Sequence, residues 1–146
     1  MPDTLTVQRL FDDPVKILLP ATHRLAQSPM VDPADLAGET WIRAHDGSAA
    51  DLAEQVLARH RLDPPPLLAG HGDEPVETQA LVAAGRGVTL THDLTVIIDP
   101  HNLLSRPLEG ERFVRHISVA HATGPLPPAV HTVLEAIQRV GRHHQH

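Results

Sequence analysis

The sequence contains no cysteine, which excludes both a disulfide framework and a thiolate metal site. It has no tyrosine, two phenylalanines and one tryptophan, too few rings for a base-stacking surface or an aromatic cage. No apolar run approaches the length of a bilayer span, and the first residues lack the basic and apolar regions of a secretory signal. We therefore expect a cytoplasmic chain with no membrane partner.

Positive charge is also scarce. Lysine and arginine total 12 against 18 acidic residues, which gives a formal net charge of −6, and Lys16 is the only lysine. A surface that binds duplex nucleic acid needs clustered cations to neutralise phosphates, whereas the arginines of this chain occur singly. The sequence therefore predicts no direct contact with nucleic acid.

What is present is a chain of 146 residues with 41% hydrophobic residues, enough for one domain with a core. No Gly-x-Ser-x-Gly, His-Glu-x-x-His or P-loop pattern occurs. We therefore predict no catalytic residues, no metal site and no cofactor, and the protein is not expected to be an enzyme.

The middle of the chain alternates between strand and helix patterns. Strands are predicted at residues 40–44, 67–70 and 88–91, and helices at residues 49–61 and 75–84. Such alternation with short loops is typical of βαβ units, so it predicts an α/β fold with a mostly parallel sheet and flanking helices. Outside this region the patterns predict strands at 4–11, 15–19, 103–108 and 113–120, short helical segments at 22–26 and 32–38, a last helix at 128–140 and a loose tail at 142–146.

The best candidate site is the turn that follows the strand at 40–44, formed by His45, Asp46, Gly47 and Ser48. Small ligands bind beyond the carboxyl ends of parallel strands in open α/β sheets. Gly47 permits a close backbone approach, and the helix that starts at Ser48 offers free N–H groups to an anion. A simple helix cap is the alternative interpretation of this turn.

Two further turns should lie on the same edge. Gly72 belongs to the turn before the second helix, where Asp73 or Glu74 could simply cap that helix. Thr91 and His92 end the third strand and could instead form an ordinary polar turn. The dipeptides at 45–46 and 92–93, each His-Asp, leave a small metal-dependent hydrolase open as a weaker alternative.

Several stretches in order along the chain resemble the effector-binding domain of LysR-type transcriptional regulators. They are LFDDP at 10–14, ILLP at 17–20, HRLA at 23–26, DLAGETWI at 35–42, ALVAAGRGVTL at 80–90, RPL at 106–108 and PAV at 128–130. No single one is decisive, but their order and spacing extend over about the whole chain.

The resemblance implies a fold like that of the type II periplasmic binding proteins, with two Rossmann-like lobes, a small-molecule effector in the cleft between them, and a role in transcription regulation. Family members begin with a winged helix-turn-helix and a linker helix, which this chain lacks together with most of the first lobe. Residues 15–107 match the second lobe, and residues 1–14 and 108–141 match the crossover strands and the return to the first lobe. The implied partners are a small effector, such as an organic acid or another anion, and a second copy in a homodimer. A dimerisation module that binds no ligand is the main alternative.

Overall fold

The computed structural model describes residues 4–43, 48–63, 66–68, 75–96 and 101–143, with only the main chain described for residues 48–50 and 66–68. These residues form two compact units. The central unit is Pro14–Phe113, and the terminal unit combines Met1–Asp13 with Val114–His146. No helix in the described ranges is both long and apolar enough to cross a membrane.

The predicted elements are largely confirmed. The strands are β1 (Leu5–Pro20), β2 (Trp41–Arg43), β3 (Pro66–Leu68), β4 (Thr89–His92), β5 (Leu103–Arg106) and β6 (Val114–Ala122). The helices are α1 (Ser48–Arg59), α2 (Pro75–Ala83) and α3 (Pro128–His143), with short 3₁₀ turns at Pro33–Leu36 and Asp93–Thr95. The strands predicted at 4–11 and 15–19 are one continuous strand, because the Asp-Asp-Pro segment between them stays extended. Proline has no N–H group to donate. It is therefore compatible with an extended strand at a position where no hydrogen bond from the main-chain nitrogen is needed.

The main sheet of the central unit is built around β1. The strands β4 and β5 both pair with β1 in the antiparallel sense, with Lys16 opposite Thr91 and Leu19 opposite Leu104. The strands β2 and β3 pair in parallel, and a parallel bridge between Trp41 and Val88 connects β2 to the start of β4. Thus β2, β3, β4 and β5 run in one direction and β1 runs in the other.

The prediction of a mostly parallel sheet is therefore not confirmed. The βαβ pattern correctly predicted the shared direction of β2, β3 and β4, since a helical crossover returns the chain to the same edge. It gave no indication that β1 would lie between β4 and β5, where each of its pairings is antiparallel. The α/β content is as predicted.

Helices cover both faces of this sheet. Because side chains alternate along a strand, Ile17 and Leu19 pack on one face with residues of α1, whereas Leu18 packs on the other face with Val82 of α2. Burial of both faces explains why β1 is apolar over consecutive residues in this region. The buried residues of the α1 face are Ile17, Leu19, Leu25, Val31, Leu36, Trp41, Ala53, Val56, Leu57, Val88, Leu90 and Leu108.

Gly87 allows the close approach of β2 to the start of β4. A Cβ atom on Gly87 would lie 2.4 Å from the main-chain oxygen of Thr40, which is far inside a normal contact. The neighbouring main-chain bonds are short and paired: the N–H of Ile42 donates to Val88 at 2.8 Å, and the N–H of Val88 donates to Thr40 at 2.8 Å. Only glycine fits at position 87 without a shift of one of these strands.

The C-terminal end of α1 is anchored by a buried carboxylate. The side chain of Glu111 is only 3% exposed and contacts Arg59 Nη1 at 2.5 Å and His60 Nε2 at 2.8 Å. The Arg59 guanidinium also lies 5.3 Å from the centre of the Phe113 ring, within the range of a cation–π contact. These contacts fix the end of α1 to the segment between β5 and β6.

The terminal unit is a two-stranded ribbon, made of β6 and the first part of β1, with α3 as its only helix in the described residues. At one end of the ribbon the Thr123 N–H donates to the Thr4 oxygen at 3.2 Å. At the other end the fully buried carboxylate of Asp13 accepts a hydrogen bond from Arg115 Nε at 3.1 Å. Contacts at both ends indicate that the two strands are antiparallel.

Candidate functional site

The three strands that lead into the predicted turns end at one edge of the central unit. In the parallel pair, Arg43 at the end of β2 lies opposite Leu68 at the end of β3. The parallel bridge between Trp41 and Val88 gives β4 the same direction, so Thr91 and His92 lie towards the same edge. The strand order therefore supports the edge on which the site was predicted.

The structure describes only some of the predicted site residues. His45, Asp46, Gly47 and Gly72 lie outside the described residues. Ser48 is the first residue of α1, as its pattern predicted, and only its main chain is described. The remaining two residues, Thr91 and His92, are the last residues of β4 and are both buried.

Thr91 and His92 point to opposite faces of the sheet. Leu90 packs in the cluster on the α1 face, and alternation places Thr91 on the α2 face and His92 back on the α1 face. The register agrees, because Thr91 lies opposite Lys16, two residues before Leu18 on the α2 face. The two residues predicted as one site thus do not present their side chains together.

Thr91 belongs to a polar network that holds the turn after β4. Its hydroxyl lies 2.9 Å from the Thr95 hydroxyl, and the Thr95 hydroxyl donates to the main-chain oxygen of His92 at 2.8 Å. From α2, the buried side chain of Gln79 donates to the main-chain oxygen of Thr95 at 2.6 Å. The network ties the α2 helix to the 3₁₀ turn Asp93–Thr95.

Lys16 brings a positive charge to the same face. Its ammonium donates to the Asp93 carboxylate at 2.7 Å, and its side chain is 26% exposed. Lys16 was not predicted as a site residue because it lies within the run predicted as a buried apolar strand. The signal was nevertheless present, since it is the only lysine of the chain and it interrupts that run.

The described part of this edge holds one ammonium group, that of Lys16, which is paired with the Asp93 carboxylate. Beside it, the hydroxyls of Thr91 and Thr95 are hydrogen-bonded to each other, and that of Thr95 donates to the main-chain oxygen of His92. In the described ranges, no three His, Asp or Glu side chains form a group that could hold a metal ion. Asp93, one half of a predicted His-Asp pair, is engaged by Lys16.

Comparison with known protein families identifies the family to which the chain belongs. The model of the LysR substrate-binding domain matches residues 1–142 of this chain. The chain belongs to the LysR substrate-binding domain family. It therefore has the α/β fold of that family, which is of the type II periplasmic-binding-protein kind, and the resemblance seen in the sequence is confirmed.

Solved structures agree with this LysR substrate-binding domain. The regulatory domain of CcmR from Synechocystis PCC6803, in complex with 2-PG, has a TM-score of 0.72 at 21% identity, and the match covers 94% of this chain and 67% of that one. The BenM effector-binding domain with its effector benzoate has a TM-score of 0.72 at 19% identity, covering 99% and 66%. HinK, a LysR family transcriptional regulator from Pseudomonas aeruginosa, has a TM-score of 0.70 at 17% identity, covering 95% and 48%.

At these identities the structural matches establish the shared fold and no more. This LysR substrate-binding domain spans about two thirds of the two effector-binding and regulatory domains and about half of HinK. No curated protein sequence matches the chain significantly.

Proposed function

We propose that this LysR substrate-binding domain senses a small anionic effector at the edge where β2, β3 and β4 end. The family match over residues 1–142 supports a sensing role, and two of its structural neighbours are named for complexes with benzoate and 2-PG. The observation that carries the proposal is the single lysine of the chain beside the Thr91 network. A partly exposed ammonium group is a suitable partner for a carboxylate.

The proposed site joins two strand ends and their turns. Lys16 and Thr91 supply the charge and a hydroxyl from β1 and β4, and Asp93 is the internal carboxylate that an incoming anion would replace. The predicted ligand residues His45, Asp46, Gly47, Ser48, Gly72 and His92 remain part of the proposal, with His92 on the opposite face of the sheet from Thr91.

The proposed mechanism is a shift between conformations. An effector that binds one arrangement of the domain more tightly raises the population of that arrangement. We propose that the central unit corresponds to the second lobe of a LysR effector-binding domain and the terminal unit to part of the first. In a complete cytoplasmic regulator the shift would be passed to DNA-binding domains, and no enzymatic step is needed.

A melting experiment tests the anion site. The chain is heated with benzoate, shikimate or a matched neutral amide, and a ligand that binds the native state raises the melting temperature. We expect at least one carboxylate to do so and its amide not to. If no carboxylate in a broad panel of small organic acids changes the melting temperature, the proposed function is wrong for this chain.

A pair of variants tests the role of Lys16. Lys16→Gln should weaken the binding of the responding carboxylate about tenfold or more, because a hydrogen bond to a charged group is lost. Arg86→Gln removes one positive charge from an exposed position of the same unit and should leave the affinity unchanged. Equal losses in both variants, measured by calorimetry, would indicate a general charge effect in place of a site.

A further inference from the structure

The ion pair of Lys16 and Asp93 carries no net charge. Its two charged groups lie 2.7 Å apart, and the side chains are 26% and 39% exposed, so both groups are accessible to a ligand. Arg43, at the end of β2, is likewise paired with the Glu54 carboxylate of α1. Both cations described at the ends of β2 and β4 thus already have a carboxylate partner. A ligand with only a negative charge can bind Lys16 only by depriving Asp93 of its cation.

Such a displacement leaves a negative charge beside the ligand. In the proposed function the incoming carboxylate takes the place of Asp93 on Lys16, and the Asp93 carboxylate then lies next to a group of the same sign. Like charges at contact distance repel each other. The formal net charge of −6 on the whole chain adds no long-range attraction for an anion. A ligand that brings a cation of its own to Asp93 avoids this cost.

The threonine hydroxyls beside the ion pair have no hydrogen left for a carboxylate. The hydrogen of the Thr95 hydroxyl goes to the main-chain oxygen of His92 at 2.8 Å. The contact of 2.9 Å between the Thr91 and Thr95 hydroxyls therefore uses the hydrogen of Thr91. Because a hydroxyl has one hydrogen but two lone pairs, both oxygens can still accept. Together with the Asp93 carboxylate they form a group of acceptors, which suits an ammonium ligand.

The spacing of the two charges selects the kind of ligand. In an α-amino acid the ammonium and the carboxylate are attached to one carbon atom, so its charges lie close together, as those of Lys16 and Asp93 do. Such a ligand can lie alongside the ion pair in the reversed sense, with each of its charges against the opposite charge of the protein. The two side chains then need to separate only slightly, and opening a partly exposed ion pair costs little.

We propose that the effector recognised at this edge is an α-amino acid, with its carboxylate on Lys16 and its ammonium group on Asp93. The assignment rests on the proposed function, because it gives a ligand class to the same site. It adds a direct contact with the ligand for Asp93, which the incoming carboxylate displaces from Lys16. The oxygens of Thr91 and Thr95 are further acceptors for the ammonium group, which has three hydrogens to donate.

Matched ligands test the class. Melting temperatures and calorimetric affinities of the whole chain are compared for the common L-α-amino acids and their deaminated counterparts, such as L-phenylalanine with 3-phenylpropanoate and L-2-aminobutanoate with butanoate. We expect at least one amino acid to bind about tenfold or more tightly than its counterpart, because a second hydrogen bond between charged groups is made. The isomer 4-aminobutanoate carries the same charges further apart and should bind no better than butanoate.

A variant of Asp93 tests the contact with the ammonium group. In Asp93→Asn the responding amino acid should lose about tenfold or more in affinity and fall to the level of its deaminated counterpart. The counterpart should bind this variant at least as tightly as the parent chain, because no negative charge is left beside it. Asp63→Asn makes the same substitution at an exposed position before β3 and should leave both affinities unchanged. Asp93→Ser gives the same comparison if the first variant folds poorly by circular dichroism.

Different results contradict the ligand class and the anion site. If carboxylates stabilise the chain but no amino acid binds more tightly than its counterpart, the α-amino acid assignment is wrong and the anion site stands. Equal losses for both members of a pair in Asp93→Asn would show a purely structural role of Asp93 and would also overturn the assignment, as would equal affinities for the two aminobutanoates. If no compound of either series changes the melting temperature, the proposed function itself is wrong.

Discussion

The two units of this protein differ in how much apolar surface they bury. The central unit has helices on both faces of its sheet, and residues such as Trp41 and Val56 are fully enclosed. In the terminal unit, among the described residues, Phe11 is the only buried large apolar side chain, while Leu5, Val7, Val133 and Val140 are mostly exposed. A two-stranded ribbon with one helix has too few layers to enclose its own apolar residues.

The difference indicates which unit contributes most to the stability of the fold. Hydrophobic burial is the dominant favourable contribution to folding, so the central unit should account for most of the free energy of unfolding. The exposed apolar residues of the terminal unit add little to that free energy in a single copy.

The largest expected contrast comes from the same substitution made in both units. Val56→Ala removes two buried methyl groups in the core beside α1 and should lower the free energy of unfolding by about 2–3 kcal/mol, including the cavity that remains. Val7→Ala, at a residue 64% exposed on the ribbon, should change it by less than about 1 kcal/mol. Urea unfolding followed by the fluorescence of the single tryptophan and by far-UV circular dichroism measures both. Similar losses from the two variants would contradict the contrast between the units.

Two glycine substitutions, one in each unit, compare how tightly the two units are packed. Gly87→Ala should cost about 1–3 kcal/mol or more, because the new Cβ meets the main-chain oxygen of Thr40, which cannot move without breaking the link between β2 and β4. Gly141→Ala meets the Phe11 side chain at 3.3 Å, and the better helix propensity of alanine offsets part of the strain. We expect a net change within about 1 kcal/mol for Gly141→Ala in thermal unfolding. A neutral Gly87→Ala would show that the strands at this point are loosely held.

The smallest expected effect concerns charge at the surface of the terminal unit. A hydrogen bond from Arg9 Nε at 2.9 Å and a second one with His116 at 2.9 Å lower the pKa of Asp12 below its ordinary value of 3.8. Since this pKa is lower in the folded chain than in the unfolded one, the small stabilisation is present above the ordinary value. It is lost as the pH falls through the lowered pKa.

Replacement of Arg9 tests whether its hydrogen bond lowers the pKa of Asp12. Arg9→Gln should raise the pKa of Asp12 towards its ordinary value, as read from the carboxyl carbon in an NMR titration. Arg139→Gln, an exposed position on α3 of the same unit, serves as the control and should leave the pKa of Asp12 where it is. An unchanged pKa in Arg9→Gln would show that the hydrogen bond seen here does not persist in solution.

Much of the fold could be predicted from local patterns. The helices α1 and α2, the strands between them and their parallel pairing follow from periodicity and from breakers such as Gly85 and Gly87. The reversed direction of β1 relative to β4 and β5 could not be predicted. It depends on pairing between residues more than 70 positions apart, such as Val15 and His92, and a strand pattern contains no information on direction.

For the candidate site, too, some features could be predicted from the sequence and others could not. Its edge was predictable, because parallel strands joined by helices end together. The separation of Thr91 and His92 onto opposite faces follows from alternation alone and was missed because the two residues were treated as one turn. The contribution of Lys16 was not predictable in the same way, since Asp93, which it contacts, is 77 residues away.

The uniqueness of Lys16 also has a consequence for covalent regulation. A chain with a single lysine has one ε-amine, so acetylation of lysine side chains yields one product. Acetylation at that amine would remove the positive charge that now contacts Asp93 and leave the carboxylate without its cation. One modification would thus turn a neutral ion pair at the end of β4 into an unpaired negative charge, which would repel an anionic small molecule at this edge.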